Sequence, residues 1–226
     1  MIPLSETAIQ AIFAVAALLF CVIPHEVAHG LVAFRLGDPT AKRAGRLSLN
    51  PLRHLDPIGS VLLPLALLLL RRFTGLPLVV FGWAKPVPIN PYYFRDPWRG
   101  MVWVGLAGPA TNFLLAGLTA LLGRALLLLG LRHRYLFLFL ALLVLISLVI
   151  ALFNLLPVPP LDGSRLLGYF LPLRWRLQLL RLEQFGILIV AALLLLGALE
   201  VVVRGAEALA VHLIGRDWAL LSGLWW

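Results

Sequence analysis

Charge is scarce in this chain. Only 13% of its 226 residues are Asp, Glu, Lys or Arg, against 62% apolar. A soluble domain carries about 25% charged and about 45–50% apolar residues, so an ordinary water-soluble globule is excluded. Acidic groups are rarer still: between residues 7 and 182 there are Glu26, Asp38, Asp56, Asp96 and Asp162 and no others. A lone cysteine, Cys21, excludes an intramolecular disulfide and leaves the redox compartment unread. No repeat, low-complexity linker or polar stretch long enough for an appended soluble domain interrupts the chain, so one membrane domain is expected over 1–226. Its motif-bearing core would span about 7–170 and its C-terminal helices about 185–226. The first apolar run lacks a basic start and a small-residue cleavage site, which excludes a removable signal peptide. The net charge of +9 does not point to nucleic acid either, because the basic residues fall in short breaks between apolar runs rather than on a patch with interleaved aromatics.

What the chain does have is long apolar runs. A membrane-spanning helix needs roughly 20 such residues, and candidates lie near 7–34, 101–123, 135–156, 185–203 and 206–226, with a shorter run at 58–70 that reads as a half-span or one arm of a hairpin. The expected fold is an all-α polytopic membrane protein of about five to six transmembrane helices, with short extended or β segments at the membrane edge. Those segments fall in two polar intervals. In 35–57, Gly, Pro and Asn punctuate the chain and AGRLSLN alternates like a short strand; in 84–99, four prolines forbid helix. If 35–57, 84–99 and 163–182 face the cytoplasm, they hold twelve Lys and Arg residues against five on the other side. The positive-inside rule then puts the N-terminus outside. The expected setting is a prokaryotic cell membrane, with 7–34 and 135–156 running in the same direction. The aromatic end DWALLSGLWW reads as an interfacial anchor.

Within the first apolar run stands CVIPHEVAHG, residues 21–30. An ionisable residue at the bilayer centre costs about 2.5–3.5 kcal/mol on insertion scales, so His25, Glu26 and His29 are functional candidates by default. On a helix, positions i and i+4 share a face with Cβ atoms about 5–6 Å apart, so both imidazoles can reach one Zn²⁺. Glu26, one residue on, can serve as general base without being a ligand. A catalytic zinc site has three protein ligands and an open fourth position, and the sparse acidic residues leave few candidates for the third. Asp162 stands out in FNLLPVPPLDGSRLLG, where Pro157, Pro159 and Pro160 must break the helix that begins near 135. Non-helical backbone at such depth is tolerated only where it is buried in protein or lines a wet cavity. Both helices run inward over comparable lengths, so a His25, His29, Asp162 site toward the cytoplasmic side is geometrically open.

The same residues carry a resemblance. HEVAHG followed by NLLPVPPLDG resembles the site-2 protease family of intramembrane zinc metalloproteases. The likeness extends in order through GRLSLNPLRHLDPIGSVLLP at 45–64, FGWAKPVPINPYYFRDPWRG at 81–100 and AGPATNFLLA at 107–116. It implies His25, His29 and Asp162 as ligands of one Zn²⁺ per chain, Glu26 as catalytic acid/base, a transmembrane protein as substrate, and a role in regulated intramembrane proteolysis. Neither the PDZ-like insertion nor the nucleotide-sensing domain of larger relatives is present, so a minimal member is expected.

Four further groups are weighed. Asn154 and Asn112 are candidates to donate to the oxyanion or hold substrate backbone, or else to satisfy carbonyls inside the bundle. His54 is a candidate for supporting the metal ligands or standing at the cavity mouth, with a surface loop as the alternative, and Cys21 reads as a small buried thiol. The extended stretches near 45–50 and 79–89 are candidates to hold an unwound substrate by edge pairing. A divalent-metal transporter would stack several coordinating groups along the membrane normal, and an inactive scaffold would lack part of the set; this chain offers one compact, complete cluster.

Overall fold

The structure is a computed structural model that describes residues 6–75, 82, 84–215, 218, 221 and 222. Helices α1 (Glu6–Arg35), α4 (Pro97–Leu128) and α5 (Arg134–Asn154) form its centre. Helix α5 reads RYLFLFLALLVLISLVIALFN, with no charged residue after its first and no Gly or Pro. A helix that is apolar all round is buried, and α5 accordingly sits between α1, α4 and α9 (Ala198–Ile214). Its Phe137, Leu138, Leu140, Ala141, Val144 and Leu148 make one cluster with Ala17 and Cys21 of α1 and Ala116 and Ala120 of α4.

Among the described residues, five helices are long and apolar enough to cross a membrane: Glu6–Arg35, Pro57–Thr74, Pro97–Leu128, Arg134–Asn154 and Leu173–Leu195. The second of these comprises a wide first stretch, Pro57–Leu62, followed by α3 (Leu63–Thr74), so the apolar run at 58–70 is helical. The fifth contains α7 (Leu173–Leu182) and α8 (Gly186–Leu195). Two short helices, α2 (Thr40–Arg43) and α6 (Gly163–Phe170), complete the set. Large apolar side chains such as Val15, Phe20, Leu121 and Leu128 stand exposed, as lipid permits and water does not.

Three expectations are corrected. No β-ladder forms among the described residues; 84–90 meets the 45–54 loop through the Lys85 N–H on the His54 carbonyl and the Arg46 guanidinium on the Lys85 and Pro86 carbonyls, and Pro86 and Pro88 cannot donate. The helix expected at 185–203 is broken at Gly197, whose φ of +79° is left-handed, and α9 starts there rather than at 206. Trp218 is not an interfacial anchor: it is fully buried, donates Nε1–H to the Phe137 carbonyl at 3.0 Å, and stacks edge-on against the Phe137 ring. Trp225 and Trp226 lie outside the described residues.

Trp218 fits because α4 carries a glycine opposite it. A Cβ on Gly123 would overlap the Trp218 ring. Overpacking of this kind costs about 1–3 kcal/mol, so Gly123→Val should lower the thermal unfolding temperature in detergent, and an unchanged temperature would mean that Trp218 is free to move aside.

Candidate metal centre

The three ligand candidates come from two distant parts of the chain and meet at one point. His25 and His29 lie one turn apart on α1, with rings 4.6 Å apart and nearly perpendicular. Asp162 lies 133 residues beyond His29 in sequence, yet its Oδ2 is 3.3 Å from His25 Nε2 and 3.2 Å from His29 Nε2. All three side chains are buried, at 4%, 6% and 8% exposure. Burial of this depth demands that each group be paired.

Local sequence explains how Asp162 arrives. Helix α5 ends at Asn154, before the prolines, and the chain turns back through Leu161 N–H to Val158 carbonyl and Ser164 N–H to Leu161 carbonyl bonds. A Cβ on Gly163 would overlap the Leu155 carbonyl, so only glycine lets α6 start this close to the end of α5. An Asp in the position before a helix ordinarily caps it. Asp162 makes no side-chain cap bond, and its carboxylate turns instead to the imidazoles, with the Arg165 guanidinium 3.5 Å from Oδ1.

Helix α4 closes the site from the third side. A Cβ on Gly108 would fall 2.5 Å from His25 Cε1, His25 Nε2 and His29 Nε2. Val104, one turn earlier, accepts the His29 Nδ1–H on its carbonyl at 2.7 Å. That bond fixes the proton on Nδ1 and leaves Nε2 with its lone pair toward Asp162, the tautomer that a ligating histidine needs.

The donor set fits zinc. Two imidazole nitrogens and one carboxylate oxygen, all within 4.8 Å of one another, are the only such group among the described residues. Tetrahedral zinc at about 2.0–2.1 Å from its ligands has donor–donor edges of about 3.3–3.4 Å, which is the spacing that His25 and His29 keep to Asp162.

Glu26 is half-buried beside this group and outside it. Its Oε2 accepts the Val87 N–H at 3.3 Å, across 61 residues. Val87 belongs to an extended strap, 84–90, tied to α1 and the 45–54 loop: Lys85 N–H donates to the His54 carbonyl at 2.8 Å, Asn90 N–H to Asp38 Oδ2 at 2.6 Å, and the buried Arg46 guanidinium to the Lys85 and Pro86 carbonyls at 2.5 and 3.0 Å. Sequence reasoning expects this stretch to be extended but does not reach its bond to Glu26, nor the parts played by Val104, Gly108 and Arg165. Gly108, Val87 and Arg165 all lie inside the quoted motifs AGPATNFLLA, FGWAKPVPINPYYFRDPWRG and FNLLPVPPLDGSRLLG, but Val104 lies in none. Within the described part of 79–89, the N–H groups of Lys85 and Val87 are already taken by the His54 carbonyl and Glu26, and Pro86 and Pro88 have none to offer an unwound substrate. Residues 79–81 and 83 lie outside the described residues.

The remaining candidates are not brought to the cluster in the way expected. His54 is buried but its Nε2 bonds the Ser48 carbonyl at 2.7 Å, so it organises its own loop. Asn154 donates Nδ2–H to the Ile150 carbonyl at 3.0 Å, one turn back on its own helix. Asn112 is fully buried, and neither atom of its carboxamide has a hydrogen-bond partner. Cys21 is buried 3.1 Å from Ser147 Oγ, a contact between α1 and α5.

The model of peptidase family M50 matches residues 129–197, the stretch that carries Asp162. A Bacillus subtilis protein named "Putative zinc metalloprotease YwhC" is 36% identical over 188 residues, covering 78% of this chain and 77% of that protein. The chain belongs to peptidase family M50. This M50 member is also 34% identical over 201 residues to a Mycolicibacterium smegmatis protein and 31% identical over 184 residues to one from Mycobacterium tuberculosis H37Rv, both named for a Rip2 zinc metalloprotease. Those alignments cover 88% and 81% of this chain and 72% and 67% of the relatives. No solved structure matches the M50 chain. The site-2 protease resemblance read from the motifs is thereby borne out.

Proposed function

We propose that this zinc-dependent M50 peptidase hydrolyses a peptide bond in or beside the transmembrane segment of another membrane protein, in regulated intramembrane proteolysis, with His25, His29 and Asp162 as zinc ligands and Glu26 as general acid/base. The observation that carries the reading is the convergence of two imidazole nitrogens and one carboxylate oxygen at zinc spacing inside an apolar helix bundle. Its relatives are named as zinc metalloproteases, and the five apolar helices support a membrane setting.

Bound zinc would supply Lewis acidity that polarises the scissile carbonyl and brings the pKa of water to about 7. The chain's own groups do the rest. The Val87 N–H holds one Glu26 oxygen, leaving the other to take the proton of the attacking water and pass it to the departing amine. Val104 keeps the His29 proton on Nδ1, away from the reacting side. Arg165 beside Asp162 offsets the negative charge of that carboxylate. A helical substrate hides its carbonyls in i to i−4 bonds and must unwind locally before attack. The basic residues at 35–53 and 85–99 support a cytoplasm-facing site with the N-terminus outside.

Removal and return of metal tests the reading. Purified protein incubated with a chelator should lose cleavage of a helical membrane substrate and regain it with stoichiometric Zn²⁺. Activity that survives full zinc depletion would exclude the assignment.

A further inference from the structure

The two imidazoles are held unequally. His29 donates its Nδ1–H to Val104, whereas His25 Nδ1, equally buried, has no partner in the protein. A metal-ligating histidine almost always donates its other ring N–H to a carboxylate, a carbonyl or a water, and this outer bond sets the tautomer and the ring orientation. His25 therefore needs an acceptor within the bundle.

Among the described residues, four buried side-chain polar atoms lack a partner: His25 Nδ1, His54 Nδ1 and the two carboxamide atoms of Asn112. His54 belongs to the loop after the short turn Pro51–Arg53. That leaves one unfilled side-chain acceptor among the described residues of the bundle, Asn112 Oδ1. Its position fits. Helices α1 and α4 run antiparallel: Ala33 packs with Val104, the His25 and His29 rings lie on Gly108, and Cys21 shares a cluster with Ala116. Asn112 stands midway between Gly108 and Ala116 on the same face of α4, which sets it opposite the turn of α1 that begins at Cys21 and ends at His25. His25 Cε1, the ring atom next to Nδ1, is one of the atoms that touch this face at Gly108. An amide buried without partners in an apolar bundle costs free energy, and pairing it with the orphan ring nitrogen relieves both groups at once.

We infer that Asn112 is a positioning residue for His25: its carboxamide oxygen accepts the Nδ1–H, directly or across one buried water, and so keeps the His25 Nε2 lone pair aimed at the metal position. This rests on the zinc-peptidase reading of His25. It replaces the role of oxyanion donor expected for Asn112 with one behind the ligand.

The test reads zinc affinity by chelator competition on the full-length protein in detergent, alongside thermal unfolding of the zinc-free form. Asn112→Leu keeps the volume and removes the acceptor; zinc should bind about 10–100-fold more weakly, as loss of such partners typically does, while the zinc-free protein unfolds at or above the wild-type temperature. Asn112→Asp restores an acceptor and should bind zinc within about threefold of wild type. Leucine affinity within that same range, or equal weakening in the leucine and aspartate variants, would overturn the assignment. A third measurement needs no variant: histidine-selective ¹⁵N NMR of the zinc-loaded wild type should find the His25 proton on Nδ1, and a proton on Nε2 would also overturn it. Failure of wild-type protein to bind zinc at all would instead sink the underlying zinc-peptidase reading, so the two failures are distinguishable.

Discussion

Glu26→Gln should abolish peptide hydrolysis while zinc stays bound at the wild-type stoichiometry. Glu26 is not part of the group formed by His25, His29 and Asp162, so its loss removes no donor. Glutamine has the same length, and its carbonyl oxygen can still accept the Val87 N–H that holds Glu26 at 3.3 Å. What glutamine cannot do is take a proton from water and return it to an amine. Positioned acid/base groups contribute about 10²–10⁴-fold, and a drop of that size in single-turnover cleavage is expected. Zinc content measured on the same sample separates loss of chemistry from loss of metal. The variant should also retain bound substrate, so a pull-down identifies which membrane protein is cut. Cleavage within tenfold of wild type would remove Glu26 from the mechanism. Undiminished metal flux through reconstituted vesicles, with no cleavage in the wild type, would favour a transporter.

The parts of this molecule that are legible in the sequence are those set by local chemistry. Sustained apolar runs announce α1, α4 and α5, because an unbroken apolar segment of about 20 residues satisfies its own backbone in lipid only as a helix. The i, i+4 spacing of His25 and His29 is enough to place both rings on one face of a helix. Asp162 is legible for a different reason: an acidic residue just past a proline break is costly unless it is used. Contacts that join distant segments are not legible. Val104 meets His29 across 75 residues, Val87 meets Glu26 across 61, and Trp218 meets Phe137 across 81. Each of those three bonds has a backbone atom of an apolar residue on one side, which leaves no trace in composition. Gly197 hides its break for a related reason: the apolar run continues through it, and only its left-handed φ ends the helix.

Gly108→Ala should empty the metal centre without unfolding the protein. Gly108 is helical with an ordinary φ; alanine is favoured over glycine in a helix interior by about 1 kcal/mol, and this gain is set against the crowding that Pro109, the next residue, imposes on a Cβ in the α region. The obstacle is the new methyl, which would stand 2.5 Å from His25 Cε1, His25 Nε2 and His29 Nε2. Carbon atoms in ordinary contact sit about 3.5–4.0 Å from their neighbours, so the rings must retreat by about 1 Å. Metal ligands tolerate deviations of about 0.2 Å, and a misplacement of about 1 Å near reacting groups can cost about 10²-fold. The retreat cannot be shared out cheaply, because the Val104 carbonyl holds His29 from one side and Asp162 meets both rings from another. Zinc affinity and cleavage should therefore both fall by about 10²-fold or more, while the zinc-free variant unfolds close to wild type. Gly117→Ala is the matched control: it lies on the same helix with nothing within 4 Å of a Cβ, and it should leave zinc binding and cleavage unchanged. If Gly108→Ala binds zinc and cleaves as the wild type does, the imidazoles are not clamped against α4, and the geometry that joins α1, α4 and Asp162 into one centre is not the one the enzyme uses.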